Sequence, residues 1–204
     1  PPGLDTRKAS SVAVGAIALQ AVRQANLRLG ESAAGIGLGL IGLMTTQLLK
    51  AAGVRVIGFE LDEGRNAVAR ELGIDEAHSA LDAAKQATDR FTGHHGVDAT
   101  ILTASSKSPD IANLAMDLTR KKGKVVVVGD VKLDLARNPF LRKEIDLRVS
   151  SSYGPGRYDE SYEEGGVNYP YAYVRWTEQR NMEAYLRLLS DGSVNLEPLV
   201  RDFE

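Results

Sequence analysis

Short apolar runs alternate with segments of helical hydrophobic spacing along most of this chain, and glycines or helix-capping residues separate them. The run at 125–128 is four valines with no polar alternation, as expected of a strand that helices cover on both faces. This order of elements predicts an α/β fold with a parallel sheet. The predicted strands are 32–39, 54–60, 76–78, 97–103, 125–128 and 147–152.

Helices are predicted before, between and after these strands, because the remaining segments with helical spacing begin at capping residues or directly after a strand and mostly end at a glycine. With their caps, the predicted helices are 13–29, 40–52, 62–72, 81–91, 108–123 and 177–192. We therefore expect one Rossmann domain over 1–204, a doubly wound parallel sheet of six strands in the order 3-2-1-4-5-6. Its expected parts are a lead-in helix (1–30), a core (31–152), an irregular excursion (153–175) and a C-terminal helix with an exit segment (176–204).

A glycine-rich turn joins the first predicted strand to the next helix. Gly37, Gly39 and Gly42 have the spacing G-x-G-x-x-G. In dinucleotide-binding turns, the first glycine allows the tight bend, the second lets a pyrophosphate approach the backbone, and the third lets the helix pack on the strand. Gly35 adds a second spelling, G-x-G-x-G, which occurs in methyltransferases, so that class remains an alternative, as does a turn without a ligand. The apolar pair 40–41 favours the dinucleotide spacing.

An acidic residue closes the second predicted strand. Glu60 stands about 20 residues after Gly37, where a carboxylate can accept hydrogen bonds from the adenosine ribose hydroxyls. It would repel a 2′-phosphate, which predicts NAD rather than NADP. Arg65 could contact the ribose or a phosphate, or could be a surface arginine. A regulatory, nucleotide-sensing module on the same fold is a further alternative, because fold does not determine chemistry.

Composition and charge exclude several classes of function. Lys+Arg 25 against Asp+Glu 27 leaves a net charge of -2, which provides no field to attract nucleic acid or an anionic membrane surface. No apolar stretch reaches the roughly 18 to 20 residues of a membrane span, and no signal peptide is visible. We therefore expect a soluble, cytoplasmic protein. The chain has no cysteine, which excludes disulfides and a thiolate zinc site in it and fits that location. It does not begin with Met, so we expect a fragment or a processed chain.

Several segments resemble the cofactor-binding domain of the medium-chain dehydrogenase/reductase superfamily, which includes the zinc alcohol dehydrogenases. They are 15–20, 36–42, 51–58, 126–129 and the exit segment 196–200. The resemblance implies hydride transfer between a nicotinamide coenzyme and an alcohol or carbonyl substrate, with the catalytic domain outside these residues. It assigns no catalytic residue here. It carries cofactor contacts onto Gly37, Gly39, Leu40, Ile41, Gly42, Glu60, Arg65, Thr103, Ala104, Val128, Gly129 and Asp130.

Two further segments, 148–159 and 173–183, resemble bacterial two-part oxidoreductases in which a glucose-fructose oxidoreductase-like domain follows this module. That resemblance implies a sugar-related substrate. Related cofactor domains pair across the sheet edge beyond the sixth strand, which implies a homodimer or a higher oligomer. Superfamily members with catalytic zinc have a cysteine near the position of Val12, and this chain has none.

Two residue clusters outside these motifs need an interpretation. The pair His94 and His95 lies between glycines, and we interpret it as a solvated loop rather than a metal site. Six of the seven tyrosines lie in 153–173. Their rings either pin the excursion to the sheet or form a docking surface for a missing domain or a substrate.

Overall fold

The six strands form one parallel sheet, and their order is β3-β2-β1-β4-β5-β6, as predicted. A computed structural model describes residue 1 and residues 3–200 of the chain. The order reverses between β1 and β4, which is where doubly wound sheets bind their ligands. The strands are β1 (Ser32–Ile36), β2 (Arg55–Phe59), β3 (Glu76–His78), β4 (Val97–Leu102), β5 (Thr119–Val127) and β6 (Asp146–Val149).

Helices cover both faces of this sheet. They are α1 (Thr6–Ala9), α2 (Val12–Ala25), α3 (Leu40–Ala51), α4 (Glu63–Glu71), α5 (Ala84–Thr92), α6 (Asp110–Leu118), α7 (Arg137–Lys143), α8 (Glu160–Glu163) and α9 (Glu178–Ser190), followed by a 3-10 turn (Glu197–Leu199). Successive strand residues point to opposite faces, so Ile36 and Phe59 join a core cluster with α5 and α6, whereas Val56 and Ile101 join one with α2 and α3. No helix in the part of the chain described is long and apolar enough to cross a membrane.

Local backbone conformation moves two of the predicted boundaries. The lead-in helix ends at Ala25 rather than at 29, because Asn26 adopts a left-handed conformation with φ 46° and closes the helix. The first strand ends at Ile36 rather than at 39, because Gly37 turns the chain with φ 93°. The second strand is one residue shorter at each end than the predicted 54–60, and the helix predicted at 81–91 begins only at Ala84.

The boundary between α6 and β5 differs most from the prediction. The predicted helix 108–123 ends at Leu118, and β5 begins at Thr119 rather than at 125. The hydroxyl of Thr119 is buried and lies 2.8 Å from the hydroxyl of Thr100 on β4, so a contact between distant residues fixes the start of the strand. The register with β4 shifts between Val97, which pairs with Thr119, and Ala99, which pairs with Lys124, so the first part of β5 pairs irregularly.

The segment after β6 contains little regular structure before α9. β6 ends at Val149 rather than at 152, and the excursion 153–175 contains only α8 as regular structure. The Thr177 hydroxyl accepts a hydrogen bond from the Arg180 amide and so caps α9. This helix packs on α2, and its fully buried Tyr185 belongs to a core cluster that also includes residues of α3. The helix α7 was not predicted from the sequence.

Candidate dinucleotide-binding cleft

Two of the three motif glycines are required by close packing. A Cβ atom at Gly37 would lie 2.6 Å from the backbone nitrogen of Ala104, and the positive φ also disfavours a side chain there. A Cβ atom at Gly42 would lie 2.0 Å from the carbonyl oxygen of Gly37. The first turn of α3 therefore packs directly on the glycine-rich turn, and both positions exclude any larger residue.

Gly39, the middle glycine of the motif, is open. For a Cβ atom at Gly39, the nearest atom would be Nη1 of Arg65 at 4.0 Å. Gly39 is the N-cap residue of α3 and has no side chain with which to cap the helix. The amides of Leu40 and Ile41 lie in the first helical turn, where a helix provides no internal acceptor. Exposed backbone N–H groups and the positive end of the helix dipole thus converge beside Gly39, and an anion would fit there.

The alternative spelling through Gly35 does not describe this turn. Gly35 lies within β1, and a Cβ atom there would be 3.7 Å from its nearest neighbour, a side-chain atom of Leu38, which is ordinary van der Waals contact. The structure therefore requires glycine at 37 and 42 and leaves the surface open at 39. This is the dinucleotide spacing, not that of the methyltransferase alternative.

Glu60 connects the end of β2 to the glycine-rich turn. Its side chain is 11% exposed, and Oε2 accepts a hydrogen bond of 2.9 Å from the amide of Leu38. Nη1 of Arg65 lies 3.5 Å from the same oxygen, and the amide of Asp62 donates to Oε1 at 3.2 Å. The carboxylate is thus held at the rim of the turn by partners on both sides, while Arg65 stays mostly exposed.

The ends of β1, β4 and β5 bring the remaining predicted residues to one edge of the sheet. Ile36, Leu102 and Val127 are register partners in adjacent strands, so the residues that follow them emerge side by side. The Thr103 hydroxyl donates to the carbonyl of Gly37, and this bond ties the glycine-rich turn to the end of β4.

Gly129 lies next to Ala104 at this edge, because a Cβ atom at Gly129 would be only 2.0 Å from the Ala104 carbonyl oxygen. The amides of Val128 and Gly129 both donate to the Leu102 carbonyl at 2.9 Å, and the carbonyl of Asp130 accepts a bond of 2.9 Å from Ser106. These residues position one another through their backbones.

Two adjoining clefts meet at Gly39 and Arg65. One, of about 340 Å³, extends from Glu60 to Thr103 and Ala104, and the other, of about 440 Å³, lies between α3, α4 and the 3-10 turn. Val128, Gly129 and Asp130 line neither cleft, and neither do Ile41 and Gly42. Other residues that line this cleft lie in the loops after β2, β3 and β4 or in the first turn of α6, and no sequence motif marks them; they are Leu61, Leu81, Ser105, Ser106 and Ile111.

The match of residues 41–165 to the family model of zinc-binding dehydrogenases decides the family. The chain belongs to it. This match confirms the resemblance to the cofactor-binding domain of medium-chain dehydrogenases. The chain, with its six-stranded sheet, is therefore a cofactor-binding domain of this family.

Individual relatives agree with this assignment. The chain is 31% identical to L-arabinitol 4-dehydrogenase of Aureobasidium melanogenum over 195 residues, which are 90% of this chain and 45% of that protein. It is 26% identical to 2-dehydro-3-deoxy-L-galactonate 5-dehydrogenase of Pseudoalteromonas atlantica over 167 residues, 80% of this chain and 48% of that protein. The crystal structure of 2R,3R-butanediol dehydrogenase from Bacillus subtilis superposes with a TM-score of 0.77 at 26% identity, covering 98% of this chain and 51% of that one. The chain spans about half the length of the relatives it matches.

The family is named for zinc binding, but the residues described in this module do not provide a zinc site. The chain has no cysteine, and the described residues contain no group of three or more His, Cys, Asp or Glu side chains arranged to hold a metal ion. His94 and His95 lie in the turn after α5, where His94 has a left-handed backbone with φ 67°. No chemical step in this module is therefore assigned to a metal.

Proposed function

We propose that the chain is the coenzyme-binding module of an oxidoreductase that transfers a hydride between a nicotinamide coenzyme and an alcohol or carbonyl carbon. One observation carries the proposal: Gly39 is open at the start of α3, while the glycines on either side of it are required by packing. A backbone kept bare at a helix N-terminus is what a pyrophosphate needs for close approach.

The residues of the cleft divide between the parts of a dinucleotide. The backbone at Gly39 and the first turn of α3 would hold the pyrophosphate, and Glu60 the adenosine ribose, with Arg65 beside it. Thr103 and Ala104, which line the cleft after β4, would flank the nicotinamide. The run 128–130 lines neither cleft but follows β5 next to Ala104, and it would flank the nicotinamide from that side. The coenzyme, when bound, supplies the hydride donor or acceptor, and the protein supplies orientation and exclusion of water.

NAD is the coenzyme that we propose, because Glu60 is a rim carboxylate with little exposure. Its oxygens can accept from both ribose hydroxyls, whereas a 2′-phosphate would bring like charges together in a partly desolvated cleft. Arg65, 3.5 Å from that carboxylate, would reduce this repulsion without removing it, because the guanidinium is mostly exposed.

For the whole protein, we propose that a catalytic domain outside these residues supplies the substrate site and any zinc ligands. The share of the relatives' length that this chain spans supports the idea. Two of the relatives act, by their names, on sugar-derived alcohols or acids, which supports a sugar-related substrate. The two-part arrangement with a glucose-fructose oxidoreductase-like domain, and pairing of copies at the β6 edge, belong to the same proposal.

Calorimetric titration of the chain with NADH, NADPH and S-adenosylmethionine tests the coenzyme assignment. We expect saturable binding of NADH, weaker binding of NADPH and none of S-adenosylmethionine. Tighter binding of S-adenosylmethionine than of NADH would contradict the proposal. In the full-length protein, reduction of NAD by a polyol would show that the protein is an enzyme. If no sugar alcohol reduces NAD, the nucleotide-sensing module is favoured instead.

A further inference from the structure

Arginine and aromatic side chains stack in a column between the Tyr-rich excursion and α9. The Cζ atoms of Arg23 and Arg175 lie 3.2 and 3.7 Å from the centroid of the Trp176 ring. Two guanidinium groups this close to one centroid would overlap on one face, so they flank the ring. Arg175 and Arg180 also lie over Tyr171, with Cζ atoms 4.6 and 5.0 Å from its centroid. We call these five residues the arginine–aromatic column.

The positive charges of this column are not balanced by carboxylates. Among the residues that the structure describes, no Asp or Glu forms an ion pair with Arg23, Arg175 or Arg180. Burial, and then the charge of Arg175, lower the pKa of Arg23 to about 10, so Arg23 stays protonated at neutral pH. Three like charges are thus held together in a chain whose net charge is -2.

The guanidinium groups of the column are fixed in place by neutral partners. Arg180 donates to the carbonyl of Tyr169 at 3.0 Å, to Oδ1 of Asn168 at 3.2 Å, and to the carbonyl of Val174. Nε of Arg23 donates to Oδ1 of Asn181 at 2.7 Å. Because neutral oxygens and rings orient these side chains, little rotamer entropy remains to be lost when an anion arrives.

A cleft of about 220 Å³ opens beside the column, and Arg175, Arg180 and Arg187 line it. Glu183 is the acidic residue of its lining, and it already lies 3.7 Å from Arg187 and accepts a hydrogen bond of 3.2 Å from Gln179. The lining therefore carries an excess of positive charge and donors. It shares no residue with the two clefts around Gly39.

Glu178, the other acidic residue near this end of the cleft lining in sequence, does not neutralise the cleft. Glu178 begins α9 but does not line the cleft, and the charges that act on it are those of Glu163 and Arg157. Arg157 in turn pairs with Glu163. Glu163 is thus paired with Arg157 and not with an arginine of the column.

We propose that this cleft is a second ligand site, separate from the coenzyme cleft, and that it binds the phosphate or carboxylate group of a small metabolite. The anion takes the place of the missing counter-charge, and the planar guanidinium groups offer paired donors to its oxygens. The clustered aromatic rings then have a specific purpose in this region, which is to hold arginine side chains in position for the ligand.

The fluorescence of Trp176 provides a direct test, because it is the single tryptophan of the chain. The probes are inorganic phosphate, glucose 6-phosphate and gluconate, with glucose and sodium chloride at matched ionic strength as controls. We expect a saturable change with glucose 6-phosphate or with gluconate, and the stronger of the two identifies the ligand chemistry. No response to any anion at millimolar concentration, or an equal response to sodium chloride, would refute the site.

Matched variants assign the response to the cleft. Arg187→Gln should weaken binding about tenfold while leaving thermal unfolding unchanged, since this side chain is 72% exposed. Arg175→Gln should abolish binding, with circular dichroism to verify folding, and Arg142→Gln on the exposed surface of α7 should leave affinity unchanged. Equal affinity in the Arg187 and Arg142 variants would contradict the proposal.

Coenzyme binding is measured separately in the same samples. Saturating NADH should leave the anion affinity unchanged, and the Arg187 variant should bind NADH normally. Displacement of the anion by NADH would instead assign the response to the coenzyme cleft and overturn the second site. If the native chain does not bind NADH, that result counts against the proposed function and not against this inference.

Discussion

Oε2 of Glu60 and the amide nitrogen of Leu38 are joined by a hydrogen bond of 2.9 Å. This bond ties the end of β2 to the glycine-rich turn after β1. The carboxylate that we propose as the ribose ligand therefore also orders the turn that would hold the pyrophosphate.

Glu60→Gln should narrow the preference for NADH over NADPH. The neutral amide can still accept from Leu38, but the charge-assisted bonds to the ribose are lost, which should cost NADH about 1 to 3 kcal/mol. NADPH should lose little or bind more tightly, because the repulsion of its phosphate is removed. Fluorescence titration of both reduced coenzymes measures the ratio, with the exposed Glu71→Gln as the control. An unchanged ratio would show that Glu60 does not select the coenzyme.

Alanine at the glycines of β1 and the turn should separate packing from ligand approach. Gly42→Ala should destabilise the fold by about 1 to 3 kcal/mol, because its Cβ atom would lie 2.0 Å from a carbonyl oxygen. Gly39→Ala should leave stability nearly unchanged and weaken NADH binding, since the surface there is open. Gly35→Ala should affect neither. Urea unfolding and NADH titration measure the two effects, and full NADH affinity in the Gly39 variant would contradict the proposed pyrophosphate position.

Asp98 should make the stability of the sheet depend on pH in the acid range. It accepts hydrogen bonds from the amide and hydroxyl of Ser32 at 2.8 and 3.0 Å, and from Nε of Arg120 at 2.7 Å. Burial alone would raise the pKa of Asp98, but these bonds outweigh it and hold the pKa below its ordinary value. The stabilisation is therefore complete above the unfolded pKa of about 4 and is lost as the pH falls through the lower folded value.

Asp98→Asn should accordingly be less stable than the native chain by about 1 kcal/mol at neutral pH, and the difference should shrink toward about pH 3. Urea unfolding at a series of pH values measures this difference. The exposed Asp117→Asn, whose carboxylate lies outside this network, is the control. A difference that stays constant with pH would mean that the charge of Asp98 does not contribute.

Gly15→Ala should destabilise the contact between α2 and α9, although alanine is the better helix former. A Cβ atom at Gly15 would lie 2.2 Å from Cζ of Tyr185, and that ring is fully buried and cannot swing away. The clash should cost about 1 to 3 kcal/mol of unfolding free energy, which exceeds the helix-propensity gain of up to about 1 kcal/mol.

A double variant tests the reason for this clash. Tyr185→Leu alone should also destabilise, because it removes a buried ring and its hydrogen bond of 2.9 Å with Ser11. In combination with Gly15→Ala, the two losses should be less than additive, since each change relieves the other. Simple additivity in thermal unfolding would show that the two residues are not coupled.

The sequence by itself determined the strand order, the glycine-rich turn and the acid at the end of β2. These follow from hydrophobic periodicity, from glycine's access to positive φ and from short connections between neighbouring elements, which are local properties of the chain. The helix α7 was missed, because no motif or strong apolar run marks it.

Only the tertiary structure decided which of two overlapping glycine patterns forms the turn. The Ala104 backbone leaves no room for a side chain at Gly37, whereas the Leu38 side chain leaves room for one at Gly35. It also decided that β5 begins at Thr119, where a hydroxyl pair with Thr100 replaces the expected helical turn. The stacking of Arg23 and Arg175 on Trp176 could not be predicted either. Contacts between residues far apart in the chain have no signature in local periodicity, so they exist only once the fold has brought those residues together.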